Sequence, residues 1–338
     1  MLPLPKGISK AIVTGGAGFI GSYLVNRLVD QGISVTVVDN LSTGSLHNIR
    51  ESKVSFVKAD CKSDSLDYLE GADIIFHLAG NPEVRIGSSD TSIDFNENIL
   101  ATFRVLEGAR KFKVPRFVFT STSTVYGEAS KMPTPEDYTP LYPISTYGGS
   151  KLACEAMISS FAHMFKIHST VYRFANVTGP SSSHGVVFDF VQKLRRDSKK
   201  LEILGDGTQK KSYIDIEDCV DAMLFLTSDM RYLEHSPLFD VFNLGSLDSI
   251  DVLSIAKIVS KEMRLDPKLV ITGGVDGGRG WKGDVKLMSL DISKIMELGW
   301  KPRFSSGEAI TRAARSLIDS YDDSLANRTI TISKKSGR

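Results

Sequence analysis

Short apolar runs alternate with stretches of helical spacing along the first half of this chain. Residues 11–14 are an apolar run, and a glycine-rich turn follows at 15–21. Over 22–31, Leu24, Leu28 and Val29 fall on one helix face. Further β-rich runs stand at 35–38, ending at Asp39, then at 54–58 and 74–78. The pattern predicts a long helix over 95–112, ended by Val114 and Pro115. A fifth strand at 117–120, a second long helix at 150–165 and a sixth strand at 169–174 complete the series. Apolar strands without polar alternation, separated by helices, read as a mostly parallel sheet covered on both faces. The expected class is α/β, a Rossmann-type doubly wound sheet.

The rhythm changes after Asn176. Helices are expected at 187–196, 218–227, 254–263 and 306–321, with an apolar run at 201–204 and a turn at 205–207. Residues 239–244 read as a strand placed to rejoin the sheet, and 273–283 as a glycine-rich loop. This gives a nucleotide-binding domain over 1–176, rejoined by about 237–250. A smaller, mixed α/β substrate domain takes 177–236 and 251–330. The polar residues from Thr329, including 331–338, are expected to fray.

Composition narrows the function classes. The 338 residues, 41% hydrophobic and 24% charged, suit two globular domains sharing a cleft. A formal charge of +1 gives no bulk support for nucleic-acid binding. Cys61, Cys154 and Cys219 lie far apart, and the six histidines are scattered, so neither a disulfide framework nor a metal site is expected. No run approaches the ~20 apolar residues of a membrane span, and no N-terminal segment reads as a signal peptide. The expectation is a soluble, cytoplasmic protein.

The candidate chemistry starts at the glycine turn. Gly15, Gly18 and Gly21 have GxxGxxG spacing between a strand and a helix. That arrangement allows a tight turn, close approach of backbone to a pyrophosphate, and a helix N-terminus aimed at the phosphates. Asp39 ends the second strand, where its carboxylate meets ribose hydroxyls and repels a 2′-phosphate, which favours NAD over NADP. Asp60 follows the third strand near the adenine. Leu78, Ala79 and Gly80 end the fourth with small residues that allow close cofactor approach. Asn98, in mid-helix, is unfavourable unless it bonds something.

Tyr147 and Lys151 are four apart at the start of a helix and share a face. A lysine ammonium and the positive nicotinamide of NAD favour the tyrosine phenolate, which can then remove a proton from a sugar hydroxyl. The preceding strand ends in Thr120, Ser121, Thr122, Ser123 and Thr124, at the carboxyl edge where parallel sheets bind ligands. Spacing does not choose among these hydroxyls.

Together these segments resemble the extended short-chain dehydrogenase/reductases, and the UDP-glucose 4-epimerases among them, over nearly the whole chain. The matching pieces include Thr14 to Gly21, Val38 to Gly44, Ser121 to Gly127, Tyr147 with Lys151, Tyr172 to Pro180, and Gly205 to Gln209. The resemblance implies Thr122 as the catalytic hydroxyl, Tyr147 as base and Lys151 as its helper. It extends the cofactor site to Phe19, Ile20, Asn40, Ser42, Thr43, Gly44, Cys61, Thr120, Tyr172, Asn176 and Val177. On the substrate side it implies Asn176, Lys211 and Arg279 at the diphosphate of a UDP-sugar, with Val186, Val187 and Tyr213 near the uridine. The loop 81–85 with Val84, and Ser123 and Thr124, would flank the sugar, and Met288 would stand beside its C2 group.

Two departures accompany the resemblance. Ser181 to Ser183 replace an arginine common after Gly179-Pro180, and Lys211 replaces an arginine fork with a point charge. The implied reaction is C4 epimerisation through a 4-keto sugar, with NAD retained. Related dehydratases carry an Asp-Glu pair, and decarboxylases a glutamate, where this chain has Ser123 and Thr124. A 4-reductase, an epimerase of N-acetylated or uronic sugars, and a non-catalytic NAD-binding scaffold are the alternatives. The resemblance also implies a homodimer through the two long helices.

Overall fold

The computed structural model describes residues 7–50, 54–182, 184–228 and 236–335, and the side chains of these up to 320. Seven strands form one parallel sheet. They are β1 (Lys10–Thr14), β2 (Ser34–Asp39), β3 (Ser55–Lys58), β4 (Ile74–His77), β5 (Arg116–Thr122), β6 (His168–Phe174) and β7 (Phe239–Leu244). Their spatial order is β7-β6-β5-β4-β1-β2-β3, and every neighbouring pair is parallel. The order reverses between β1 and β4, so the strand carboxyl ends diverge there and open a crevice.

Helices cover both faces. On one side α1 (Phe19–Asp30) packs with α5 (Ile216–Ser228), and their core includes Leu24, Val25, Met223 and Leu226. On the other side α2 (Ala101–Lys111) and α3 (Thr146–Phe165) bury Val105, Leu106, Cys154 and Ile158 against the sheet. A third core joins α4 (Val186–Arg196), α6 (Val252–Glu262) and α7 (Ser306–Lys335), built around Phe190, Val191, Ile255 and Ile310. Short strand pairs, such as Lys200–Ile203 with Lys268–Ile271, edge this smaller lobe. Phe239–Leu244 pairs along β6 from Ser169 to Phe174, which returns the chain to the main sheet.

Two elements differ from the sequence pattern. The long helix expected over 95–112 is interrupted: Phe95–Leu100 is a π-turn between the α-turn Thr91–Asp94 and α2. The wider turn brings Asn98 inward, where it is 1% exposed. The tail expected to fray from Thr329 is helical through Lys335, as part of α7, and 336–338 lie outside the described residues. Among the described residues no helix is long and apolar enough to cross a membrane.

Candidate active site

A cavity of about 660 Å³ lies along the carboxyl ends of the sheet and beneath the smaller lobe. At one end is the glycine turn. Gly15 has φ +68, and a Cβ there would stand 2.6 Å from the Ala79 nitrogen. A Cβ on Gly21 would stand 2.2 Å from the Gly15 carbonyl oxygen, so helix and turn touch. No side chain caps α1 at Gly18. Its first N–H groups therefore point toward the cavity, with the positive end of the helix dipole.

Asp39 stands at the end of β2, 8% exposed, and lines the same cavity. It accepts the Ala17 N–H at 3.0 Å and the Leu41 N–H at 2.8 Å, which fixes its carboxylate against the turn. Asp60 lines the far wall. Burial opposes its charge, but the Lys62 N–H and the Asn40 amide outweigh that and hold its carboxyl below the ordinary value. Beside it, burial pushes the Cys61 thiol up to about 11, so it is a neutral wall.

The reaction centre is built by two elements. β5 delivers Thr122 at its carboxyl end, and α3 delivers Tyr147 and Lys151 from its first turns. Ser145 caps α3 through the Gly148 N–H at 3.1 Å. Tyr147 and Thr122 line the cavity together, and the Thr122 hydroxyl is near enough to favour ionisation of Tyr147. The Thr122 hydroxyl also accepts the Thr124 N–H at 3.1 Å. Lys151 Nζ donates to the Thr120 carbonyl at 3.0 Å and lies 4.7 Å from the Phe119 ring centre. Burial raises the Tyr147 hydroxyl above its ordinary value, Asp94 and Cys154 add to this, and Thr122 opposes it. Burial lowers Lys151.

The smaller lobe supplies the opposite wall. Asn176, Val177, Val186, Val187, Tyr213 and Met288 line it. Lys211 lines it too, in an ion pair of 2.6 Å with Asp284, whose side chain is 2% exposed. Trp281 lies between two cations, 5.4 Å from Lys211 and 5.7 Å from Arg85.

The sequence model of the NAD dependent epimerase/dehydratase family matches residues 11–245. The chain belongs to that family. It is 35% identical over 316 residues to a UDP-glucose 4-epimerase of Mycolicibacterium smegmatis, spanning 90% of this chain and 96% of the relative. A putative UDP-glucose 4-epimerase of Methanocaldococcus jannaschii is 31% identical over 89% of this chain and 96% of its own. Among solved structures, a UDP-galactose 4-epimerase superposes with a TM-score of 0.84 at 41% identity, over 92% of this chain and 99% of the other.

NAD, the family's cofactor, fits the residues present. The turn has no room for side chains at Gly15 and Gly21, α1 offers uncapped N–H groups, and Asp39 is fixed where a ribose would lie. Phe19, Ile20, Asn40, Ser42, Thr43, Leu78, Ala79, Gly80 and Thr120 line the same cavity. Val84, Ser123 and Thr124 line it as well.

Several expected contacts lie elsewhere. Tyr172 is fully buried between β6 and α5, and its hydroxyl donates to the Met223 carbonyl at 3.1 Å, so it is core and not a cofactor contact. Gly44 packs on Ala17 behind the turn, outside the cavity wall. Asn98 holds the wall from behind: its Oδ1 accepts the Asn81 N–H at 2.9 Å and its Nδ2 donates to Ser150 Oγ at 2.8 Å. Arg279 is not among the residues lining the cavity; it pairs with Glu128 at 2.6 Å and donates to the carbonyl of the lining residue Asp284 at 2.7 Å.

The cavity also uses residues that the sequence did not assign, among them His184, Asp189, Trp281 and Asp284. A tryptophan in the glycine-rich loop 273–283 was the one visible signal. The partnership of Asp284 with Lys211 spans 73 positions and has no local signature.

Proposed function

We propose that this enzyme is a UDP-glucose 4-epimerase, interconverting UDP-galactose and UDP-glucose through a 4-keto sugar. The observation that carries the reading is that Thr122, Tyr147 and, one turn on, Lys151 line one cavity with the glycine turn. Bound NAD supplies the oxidation and the returning reduction at the sugar carbon. The chain supplies the proton chemistry and the orientation. Thr122 and Tyr147 together accept the C4 hydroxyl, and Tyr147 takes its proton when a positive charge lies alongside. Lys151, anchored on the Thr120 carbonyl, holds the nicotinamide end of the site. Asn176 and Lys211 grip the diphosphate while the sugar turns and presents its other face, after which Tyr147 returns the proton.

Two features favour a neutral hexose and simple epimerisation. The side chains after Thr122 are the hydroxyls of Ser123 and Thr124, so no carboxyl stands there for elimination of water. Arg85 is paired with Glu83 at 2.9 Å, so it offers no free cation to a C6 carboxylate. A homodimer through α2 and α3 is part of the same proposal, supported by exposed Phe103, Met164 and Phe165 on those helices.

The test is incubation of the purified protein with UDP-galactose, with and without added NAD, followed by proton NMR. Formation of UDP-glucose, lost in Tyr147→Phe by a factor on the order of 10²–10⁴, is the expected result. Conversion of only the N-acetylated or uronic sugar nucleotides would move the assignment to those substrates. No conversion of any UDP-sugar would overturn it.

A further inference from the structure

Trp281 lines the cavity on a turn that holds its backbone in place. Its carbonyl accepts the Asp284 N–H at 3.1 Å, and the Gly280 N–H just before it donates to Asp284 Oδ2 at 3.2 Å. Lys211 Nζ lies over the ring at 5.4 Å from its centre, and the Arg85 guanidinium at 5.7 Å. One cation comes from the smaller lobe and the other from the turn after β4, so the indole is held by cation–π contacts from both sides of the cavity. Its edge is left for hydrogen bonding. The Nε1–H is buried, and among the described residues nothing accepts it. A buried indole N–H ordinarily has a partner, because the unmade bond is costly away from water. Nε1 can only donate, so the group that fits it is an acceptor.

A second atom of the same wall has the opposite need. Gln209 is 7% exposed, and its Nε2 donates to the Leu204 carbonyl at 3.0 Å, which fixes which end of the amide is the oxygen. That Oε1 is buried and, among the described residues, receives no hydrogen bond. It calls for a donor. A ligand that answers both atoms carries acceptors in one part and donors in another. A nucleoside diphosphate does so: its ionised phosphoryl oxygens accept, and its ribose hydroxyls and base N–H donate. The Lys211 ammonium over the indole draws the anionic part to Trp281.

We propose that Trp281 is a substrate-binding residue, donating its indole N–H to a diphosphate oxygen of the nucleotide sugar. This rests on the reading of the substrate as a UDP-sugar. Lys211 is a point charge already paired with Asp284 at 2.6 Å, so the indole supplies the directed bond that the ammonium does not.

The experiment reads the indole N–H itself, by proton NMR of the full chain saturated with NAD. The chain has two tryptophans, and the other, Trp300, is 7% exposed in the core. Trp281→Phe or Trp300→Phe assigns the two signals. UDP should move the Trp281 signal downfield and leave that of Trp300 in place, and uridine, which has no phosphate, should move neither. Trp281→Phe keeps an aromatic ring for the two cations and removes the N–H. Its affinity for UDP, measured by titration calorimetry, should fall about 10-fold, with its affinity for uridine and its retained NAD unchanged. A Trp281 signal that UDP leaves in place overturns the proposal. So does an equal movement with uridine, or an equal loss of UDP and uridine affinity in Trp281→Phe. Binding of UDP needs no turnover, so a Trp281 signal that answers UDP in a protein that does not convert UDP-galactose would count against the epimerase reading alone.

Discussion

Replacing Glu155 by alanine removes the acceptor that neutralises Arg173 directly beneath the reaction centre. The two side chains are 5% and 6% exposed. Glu155 accepts Arg173 Nη2 at 2.7 Å, Arg173 Nε at 3.1 and 3.2 Å, and Ser121 Oγ at 2.5 Å. Without it the guanidinium keeps only the Tyr126 hydroxyl at 2.9 Å and the Glu136 carbonyl at 3.1 Å. Leaving a buried charge uncompensated in this way costs about 3–5 kcal/mol. In a chain of this size that lowers the midpoint of thermal unfolding by roughly 4–7 °C, read by calorimetry. Glu155→Gln keeps the shape and an acceptor and should fall between.

The double variant Glu155→Leu/Arg173→Met removes both charges and should regain most of the loss, because a well-packed apolar pair replaces an ion pair at little cost. Activity has its own expectation. Ser121 precedes Thr122 on β5, so Glu155→Ala should lower kcat even well below its unfolding midpoint. A loss under about 1 kcal/mol in Glu155→Ala would refute the reasoning, since that is the scale of an exposed pair. A double variant as unstable as the sum of the singles would refute it too, since contacting residues should couple.

Two further outcomes follow from the site. Gly21→Ala places a methyl 2.2 Å from the Gly15 carbonyl oxygen, so the turn must open; the purified variant should stay folded by circular dichroism but retain little NAD, measured on release by acid. His77, between Thr14 Oγ1 at 2.7 Å and Thr102 Oγ1 at 3.1 Å, is pushed down to about 3 by burial and by Lys151. Its folded pKa lies below the unfolded one, so its contribution is intact above about pH 6.5 and is lost as pH falls toward 3, at up to about 1.4 kcal/mol per pH unit. Denaturant midpoints across that window should fall with acid, and His77→Asn should flatten the slope.

What the sequence determined by itself was local. The strand–turn–helix at Gly15 to Gly21, Asp39 at the end of β2 and the pair Tyr147 and Lys151 are written in spacings of one to seven residues. Periods of 3.6 and 2 place such groups without knowledge of the rest of the chain. Tertiary structure decided the rest. Tyr172 lies on a central strand buried on both faces, so no alternation tells which side meets ligand, and α5 claims it. Asn98 faces inward because of a π-turn, which adds a residue to one helical turn and shifts the face that the pattern predicts. Arg279 sits in a loop with no period, and its direction is set by Glu128, 151 positions earlier. The buried Asp94 has no sequence signal, since its hydrogen bonds depend on Asn81, Asn98 and Thr146 meeting in space. Charges and hydrogen bonds act over a few ångströms, and only the folded chain determines which residues lie that close.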